Sequence, residues 1–466
     1  MLINNFLSPK DSIAAITYEG ERVSYNDLVS FASTLYNKIN HRCLIFCMCQ
    51  NSIDSLGGYV SFLTNKVVPL LLDASMDITL LRDLINLYKP EYLWIQTSRT
   101  WEFPDEEIVF ASKQYSLIKL HFNTGFQIFD DLALLLTTSG STGSRKVVRL
   151  SYDNILSNAQ SIAQYLSITA DERPITSLPM NYSFGLSIIN SHLLQGATLL
   201  LTSGSIMQKE FWNLLKTEKA TSLSGVPYTY EILKKLRFLR MDLPFLTTMT
   251  QAGGKLDIDL NREFTEYCQS ANKRFFVMYG QTEATARMSY LPCEQALLKL
   301  GSIGTAIPGG EFSLIDENGA PITECDTVGE LVYRGRNVSL GYAECGDDLC
   351  KGDENAGVLL TGDLAKKDSD NYYYIVGRKK RFIKLFGNRV NLDDTERLLK
   401  ALVFECACTG SDDRMLVYIT ESGIADEARK FISMKTGINQ SAFVVKQIDS
   451  IPRNSSGKII YSKLDI

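Results

Sequence analysis

The run Thr137-Thr138-Ser139-Gly140-Ser141-Thr142-Gly143-Ser144-Arg145-Lys146 gathers hydroxyls, two glycines and a lysine directly behind the apolar stretch Leu132–Leu136. Gly140 and Gly143 let backbone N–H groups come close to an anion, the hydroxyls add donors, and Lys146 adds a compact positive charge. The chemistry this favours is the binding of a polyphosphate; on composition alone the run also reads as a flexible linker. A Walker-type loop needs Gly before the lysine and Ser or Thr after it, whereas Lys146 stands between Arg145 and Val147. A conventional P-loop ATPase is therefore disfavoured.

Further groups able to do chemistry follow. Tyr279-Gly280-Gln281-Thr282-Glu283 ends an apolar run, Phe275–Met278, and sets a hydroxyl beside a carboxylate. Gly253 and Gly254 permit close backbone approach, Thr361-Gly362-Asp363 offers an acceptor-only carboxylate, and Asn454-Ser455-Ser456-Gly457-Lys458 ends in a lysine on a flexible stem. Taken singly each has an ordinary alternative: a core tyrosine, an exposed glutamate at a strand end, a plain turn, a surface lysine.

The elements positioning these groups read as alternating layers. Leu132–Leu136 predicts a buried strand and Ser151–Tyr165 a helix capped by Ser151, so the hydroxyl-rich loop is expected to join strand to helix. Helix-patterned Tyr25–Ile39 and Asn190–Leu194 alternate with apolar Val67–Leu72 and Ala197–Thr202, which predicts an α/β body. From Gly301 the texture becomes β-rich, with short strands at Phe312–Asp316, Gly329–Arg334 and Val358–Thr361 and a hairpin around Asp368–Tyr374. The basic run Arg378-Lys379-Lys380-Arg381 reads as a solvated linker and marks a boundary.

Composition narrows the class. At 466 residues the chain exceeds what one core usually supports, and a formal net charge of −5 gives no global attraction to nucleic acid. The 10 cysteines contain no CxxC and only 3 histidines accompany them, which argues against structural zinc. No stretch of 18 apolar residues occurs and Met1–Phe6 lacks a basic leader, so the expectation is a cytoplasmic protein without membrane insertion.

In order, these motifs resemble the adenylate-forming superfamily of acyl-CoA synthetases, nonribosomal peptide adenylation domains and luciferases, over roughly residues 20–466. Thr138–Lys146 is similar to its TSGTTGxPK loop, Tyr279–Glu283 to YGxTE, Gly329-Glu330-Leu331 with Gly341-Tyr342 to GEL…GY, Thr361–Asp363 to TGD, and Pro452–Lys458 to PRxxxGK. Arg145 stands where proline is usual. The resemblance implies a large α/β domain with a β-rich subdomain, residues 1–377, and a small mobile α+β domain, residues 381–466, with a hinge near 378–381 at Lys380. It implies ATP and Mg²⁺ as cofactors, with CoA or a phosphopantetheine thiol as acceptor. By the same resemblance Lys458 bridges the acid and the α-phosphate, Thr282 donates to that phosphate, and Glu283 holds the metal. Thr138, Ser139, Gly140, Ser141, Thr142, Gly143 and Lys146 cradle phosphates. Tyr279 packs on adenine, Gly253 and Gly254 let adenine and the acyl chain approach the backbone, Gly280 and Gln281 bind the nucleotide cofactor, Asp363 meets the ribose hydroxyls, Arg378 meets the ribose or phosphates, and Gly387 lines a thiol channel.

The implied reaction joins a carboxylic acid to a thiol through an acyl-adenylate. Amino-acid-activating relatives carry Asp in the segment matching Leu178–Gly185, and none stands there. The acid contact is expected near Tyr182 and Ser183, for a small acid without an α-amine. Many relatives have His where Tyr182 stands. The acceptor stays open between CoA and a separate carrier protein acting in trans. Two further readings remain: a stand-alone amino-acid or hydroxy-acid enzyme loading a carrier, and a catalytically weak relative that binds nucleotide or acyl ligand.

Overall fold

The computed structural model describes residues 11–122, 127–137, 146–379, 381–386, 388–454 and 457–464. It divides into two compact units, the first running to Glu311 and including Tyr333–Leu359, the second comprising Phe312–Val332 and the chain from Leu360 onward.

Two large sheets build the first unit. The eight-stranded sheet runs, edge to edge, Gly341–Ala343, Val147–Ser151, Leu132–Thr137, Val68–Asp73, Leu44–Cys49, Tyr92–Gln96, Tyr115–Lys119 and Glu107–Ala111. Its inner strands Leu44–Cys49 and Val68–Asp73 pair in parallel and are almost wholly buried, which is why they read as unbroken apolar runs. The nine-stranded sheet has a parallel centre in which Ser222–Gly225, Thr248–Gln251 and Arg274–Tyr279 lie side by side. Helices pack on these sheets, Tyr25–Ile39 with a capping box at Ser24 and Tyr152–Leu166 with one at Ser151.

One connection differs from the sequence expectation. The segment after Leu132–Thr137 enters a second strand, Val147–Ser151, antiparallel to the first with Thr137 opposite Val147; the helix begins only at Tyr152. The hydroxyl-rich loop therefore joins strand to strand. Val147, Val148 and Leu150 are fully buried and suit a pleated position, and the Arg149 among them is buried as well.

In the second unit, Tyr373–Arg378 pairs antiparallel with Val358–Lys367, and the Asp368 carboxylate accepts from the Asp370 and Tyr372 N–H groups in the turn between them. Further on, Cys406–Ser411, Arg414–Ile419 and Phe443–Gln447 form a three-stranded sheet packed with the helices Leu392–Leu399 and Ala425–Thr436 around Ile383, Leu385, Val417, Ile419 and Ile432. This is the α+β part expected at the C-terminal side.

Candidate active site

The strand Arg274–Tyr279 delivers its end to a tight turn, residues 280–286. Thr285 and Ala286 adopt φ of 59° and 111°, uncommon for residues with a Cβ. A Cβ on Gly280 would sit 1.6 Å from the Ala286 carbonyl oxygen, so only glycine lets the turn fold back this closely. Neighbouring segments hold it. Ser339 N–H donates to the Glu283 carbonyl at 2.8 Å, Thr285 Oγ1 to the Asn337 carbonyl at 2.7 Å, and Asn337 Nδ2 to the Ala284 carbonyl at 2.8 Å. The helix Tyr152–Leu166 contributes Asn154, whose Nδ2 donates to the Arg336 and Val338 carbonyls, and Asn158, whose Nδ2 donates to the Arg287 carbonyl.

The Glu283 side chain that this turn presents meets Tyr342, whose Oη donates to Glu283 Oε1 at 2.8 Å. Burial, with the Glu283 charge beside it, pushes the Tyr342 phenol up, so it stays a donor through neutral pH. Lys146 Nζ lies 3.8 Å from the centre of the same ring and 3.9 Å from Glu344 Oε1. A cation and a carboxylate thus share one aromatic side chain. Alongside lies a cavity of about 420 Å³ lined by Lys146, Tyr342, Glu344, Asp348, Lys351 and Glu354 among others.

Arg149 underlies this arrangement. Its guanidinium is fully buried, and it donates to the Tyr342, Leu340 and Gly352 carbonyls at 3.0, 2.9 and 3.1 Å, to the Lys351 carbonyl, and to Glu354 Oε2 at 2.5 Å. One side chain in a strand of the sheet therefore fixes the segment that carries Tyr342. In the sequence Tyr342 is visible only within the Gly341-Tyr342 motif, and the one signal for Arg149 is a charge inside the run Val147–Leu150.

Thr282 Oγ1 lies 3.1 Å from Ser183 Oγ, so the structure brings together two of the expected contacts. Ser183 opens the helix Ser183–Leu194, whose N-cap, Tyr182, supplies no side-chain hydrogen bond to the first turn. Its N-terminal N–H groups suit an anion placed there. Tyr182 itself is buried among Phe184, Ile188, Val226 and Met278. Tyr279 is partly buried and accepts from Gln281 Nε2 at 3.3 Å. Gly253, at φ 84°, turns the chain after Gln251, whose Nε2 donates to the Gly254 carbonyl at 2.8 Å while its Oε1 is buried with no partner among the described residues.

Asp363, Arg378 and Lys458 belong to the second unit. Asp363 is 3% exposed and Arg378 Nε lies 3.2 Å from its Oδ1 across a strand pair. Thr361 Oγ1 donates to the Leu331 carbonyl and accepts from the Asp363 N–H, and Gly362 takes φ 69° between them. Lys458 is half-buried after a turn closed by Asn454, whose N–H donates to the Lys458 carbonyl and whose Oδ1 accepts from the Lys458 N–H, both at 2.9 Å.

The solvated-linker reading fails at Arg381, which is only 15% exposed. Its Nη2 donates to Glu396 Oε1 at 2.7 Å, and the guanidinium lies 4.0 Å from the centre of the Tyr461 ring. Thr138, Ser139, Gly140, Ser141, Thr142, Gly143, Lys380 and Gly387 lie outside the described residues.

A family model described as "AMP-binding enzyme" matches residues 8–343. Among curated proteins, a probable CoA ligase, CCL5, of Humulus lupulus is 27% identical over 354 residues, 72% of this chain and 63% of its own. A mitochondrial medium-chain acyl-CoA ligase, ACSF2, of Rattus norvegicus is 28% identical over 383 residues, 77% of this chain and 61% of its own. The chain thus spans about three fifths of the length of these relatives. The O-succinylbenzoate coenzyme A synthetase of Bacillus subtilis in complex with AMP superposes with a TM-score of 0.81 at 21% identity, covering 100% of this chain and 98% of that one. The same enzyme with ATP and magnesium ion gives 0.79 at 22%, covering 100% and 99%. At these identities the structural likeness speaks for the fold.

Proposed function

Because the chain belongs to the AMP-binding enzyme family, we propose that it is an ATP-dependent acid–thiol ligase acting through an acyl-adenylate. The observation that carries this is the Tyr342 side chain, with Glu283 on its hydroxyl and Lys146 over its face. Phosphoryl chemistry on a nucleotide needs cations around the phosphates and a carboxylate for Mg²⁺, which takes one or two carboxylates plus phosphate oxygens and water. Glu283, with Oε1 engaged by Tyr342, supplies that carboxylate. The bound magnesium would neutralise phosphate charge. Gln251 Oε1, without a partner among the described residues and close to Gly253 and Gly254, suits a donor such as the adenine amino group.

In the first half-reaction the acid's carboxylate oxygen attacks the α-phosphorus, and the bond to the pyrophosphate oxygen breaks. Thr282 and Ser183, with the first N–H groups of the helix Ser183–Leu194, hold the carboxylate and α-phosphate region. In the second, a thiolate attacks the acyl carbon, the bond to the phosphate oxygen breaks, AMP leaves, and the thiol proton passes to solvent. The resemblance assigns Lys458 to the first half, Asp363 to the ribose and Arg378 to the ribose or phosphates. It places the boundary and hinge near residues 378–381. The names of the curated relatives favour CoA as acceptor over carrier-bound phosphopantetheine.

The test is pyrophosphate exchange with Mg-ATP against aliphatic, hydroxy, aromatic and amino acids, followed by AMP release with CoA or a phosphopantetheinylated carrier. Acid-dependent exchange that Glu283→Gln and Lys458→Ala both abolish supports the reading. ADP as product, or ATP binding with no exchange for any acid, overturns it.

A further inference from the structure

Arg287 lies two residues before the strand Ser289–Leu291, and its side chain is buried, 2% exposed. Its Nε donates to Ser187 Oγ at 3.1 Å, and its Nη1 to Tyr165 Oη at 3.0 Å with Met278 Sδ 3.1 Å away. The guanidinium carbon stands 5.0 Å from the centre of the Phe184 ring. Every one of these partners is neutral, and no described carboxylate forms an ion pair with it. A buried charge is ordinarily paired, because a guanidinium taken from water without a counter-charge is costly. The backbone is not free to swing it outward, since its carbonyl accepts from Asn158 Nδ2 at 2.9 Å and Asn337 Nδ2 at 3.1 Å.

The surroundings are apolar and aromatic on one side and carry hydroxyls on the other. Tyr182, Phe184, Phe276 and Met278, with Tyr165 and Tyr290 packed against them, form an aromatic-rich cluster around the helix Ser183–Leu194. Ser183, linked to Thr282, and Ser187, linked to Arg287, are four positions apart on that helix. They therefore share one face, with a rise of about 6 Å between them. The Ser187 hydroxyl donates to the Phe184 carbonyl at 2.7 Å, which leaves its oxygen to accept from Arg287. His192, on the same helix, is buried with its pKa lowered by burial, so it adds no second positive charge beside Arg287.

We propose that the acid substrate carries a second anionic group, about one helical turn beyond the carboxylate that is activated, and that the guanidinium of Arg287 receives it. The substrate class is then a dicarboxylate-like acid with an apolar middle, its reacting end at Ser183 and Thr282 and its distal end at Arg287, Ser187 and Tyr165. This deepens the ligase reading and rests on it.

Two measurements on the full chain test it. Ligand-induced thermal shifts compare glutarate and adipate with pentanoate and hexanoate, in wild type and in Arg287→Met and Arg287→Lys. Pyrophosphate exchange is then run with the same acids. The expected result is stabilisation by the dicarboxylates alone, abolished by Arg287→Met and partly restored by Arg287→Lys. In exchange, wild-type kcat/KM for the best dicarboxylate should exceed that of its matched monocarboxylate at least tenfold, with the order reversed in Arg287→Met. Monocarboxylates that bind or exchange as well as dicarboxylates in wild type would overturn the assignment and leave the ligase reading standing. Dicarboxylate binding that needs Arg287 but yields no exchange would instead sink the ligase reading and keep the site. Wild-type discrimination decides the matter even where Arg287→Met fails to fold.

Discussion

Tyr342 Oη donates to Glu283 Oε1 at 2.8 Å across a separation of 59 residues. The bond orients the carboxylate through Oε1, and it joins the turn after one sheet to the edge strand of the other.

Tyr342→Phe removes that bond and keeps the ring beneath Lys146. The Mg²⁺ concentration giving half-maximal exchange should rise several-fold while stability falls by about 1 kcal/mol, as for one lost hydrogen bond. Magnesium titrations and chemical denaturation read the two effects separately. An unchanged magnesium requirement would remove Tyr342 from the metal's support.

Arg149→Met should be far more damaging. It strips four carbonyls of their donor, at about 1 kcal/mol for each lost hydrogen bond, whereas the half-exposed Glu354 is solvated once its partner is gone and adds little to the loss. Urea denaturation measures it. A variant within about 1 kcal/mol of wild type would show that the segment carrying Tyr342 is held by its strand pairing alone.

His192 gives a pH signature. Burial lowers its pKa to about 4, from an ordinary value near 6.5, with the Arg287 charge contributing. The unfolded chain takes up the proton first as pH falls, so stability from this group is complete above pH 6.5 and is lost on the way down to pH 4, by about 3 kcal/mol. The difference in unfolding free energy between wild type and His192→Gln, measured from pH 7.5 to 4, should shrink accordingly. A constant difference would contradict a neutral buried imidazole.

Asp363→Ala is expected to raise KM for ATP tenfold or more while changing KM for the acid little, because its buried carboxylate offers acceptors suited to ribose hydroxyls. Initial-rate kinetics with each substrate varied in turn separate these. Equal effects on both constants would assign Asp363 to the strand pair instead.

Much of the frame was legible wherever local signals acted alone. Tyr25–Ile39 is a helix over the residues its periodicity marks, and Ser151 caps Tyr152–Leu166 because a hydroxyl before an apolar period satisfies exposed N–H groups. The short strand Val147–Ser151 was not legible as one, since five residues with a charge at the centre carry too little period, and only the partner strand explains why an arginine there can be buried. The same holds at the site. Thr282, Glu283 and Asp363 stood out because they sit in short motifs whose residue types suit that chemistry. The roles of Tyr342, Arg149 and Arg287 arise from contacts spanning tens to hundreds of residues, which no local pattern records.

The pairing of Thr137 with Val147 sets both ends of the hydroxyl-rich loop on a single rung of the ladder. The entropic cost of bringing those ends together is met when the sheet forms. Closure cost grows slowly with length, by about 0.6 kcal/mol for each doubling. The rung is therefore a graft point: segments of other lengths and compositions can be exchanged there while the strands on either side keep their register.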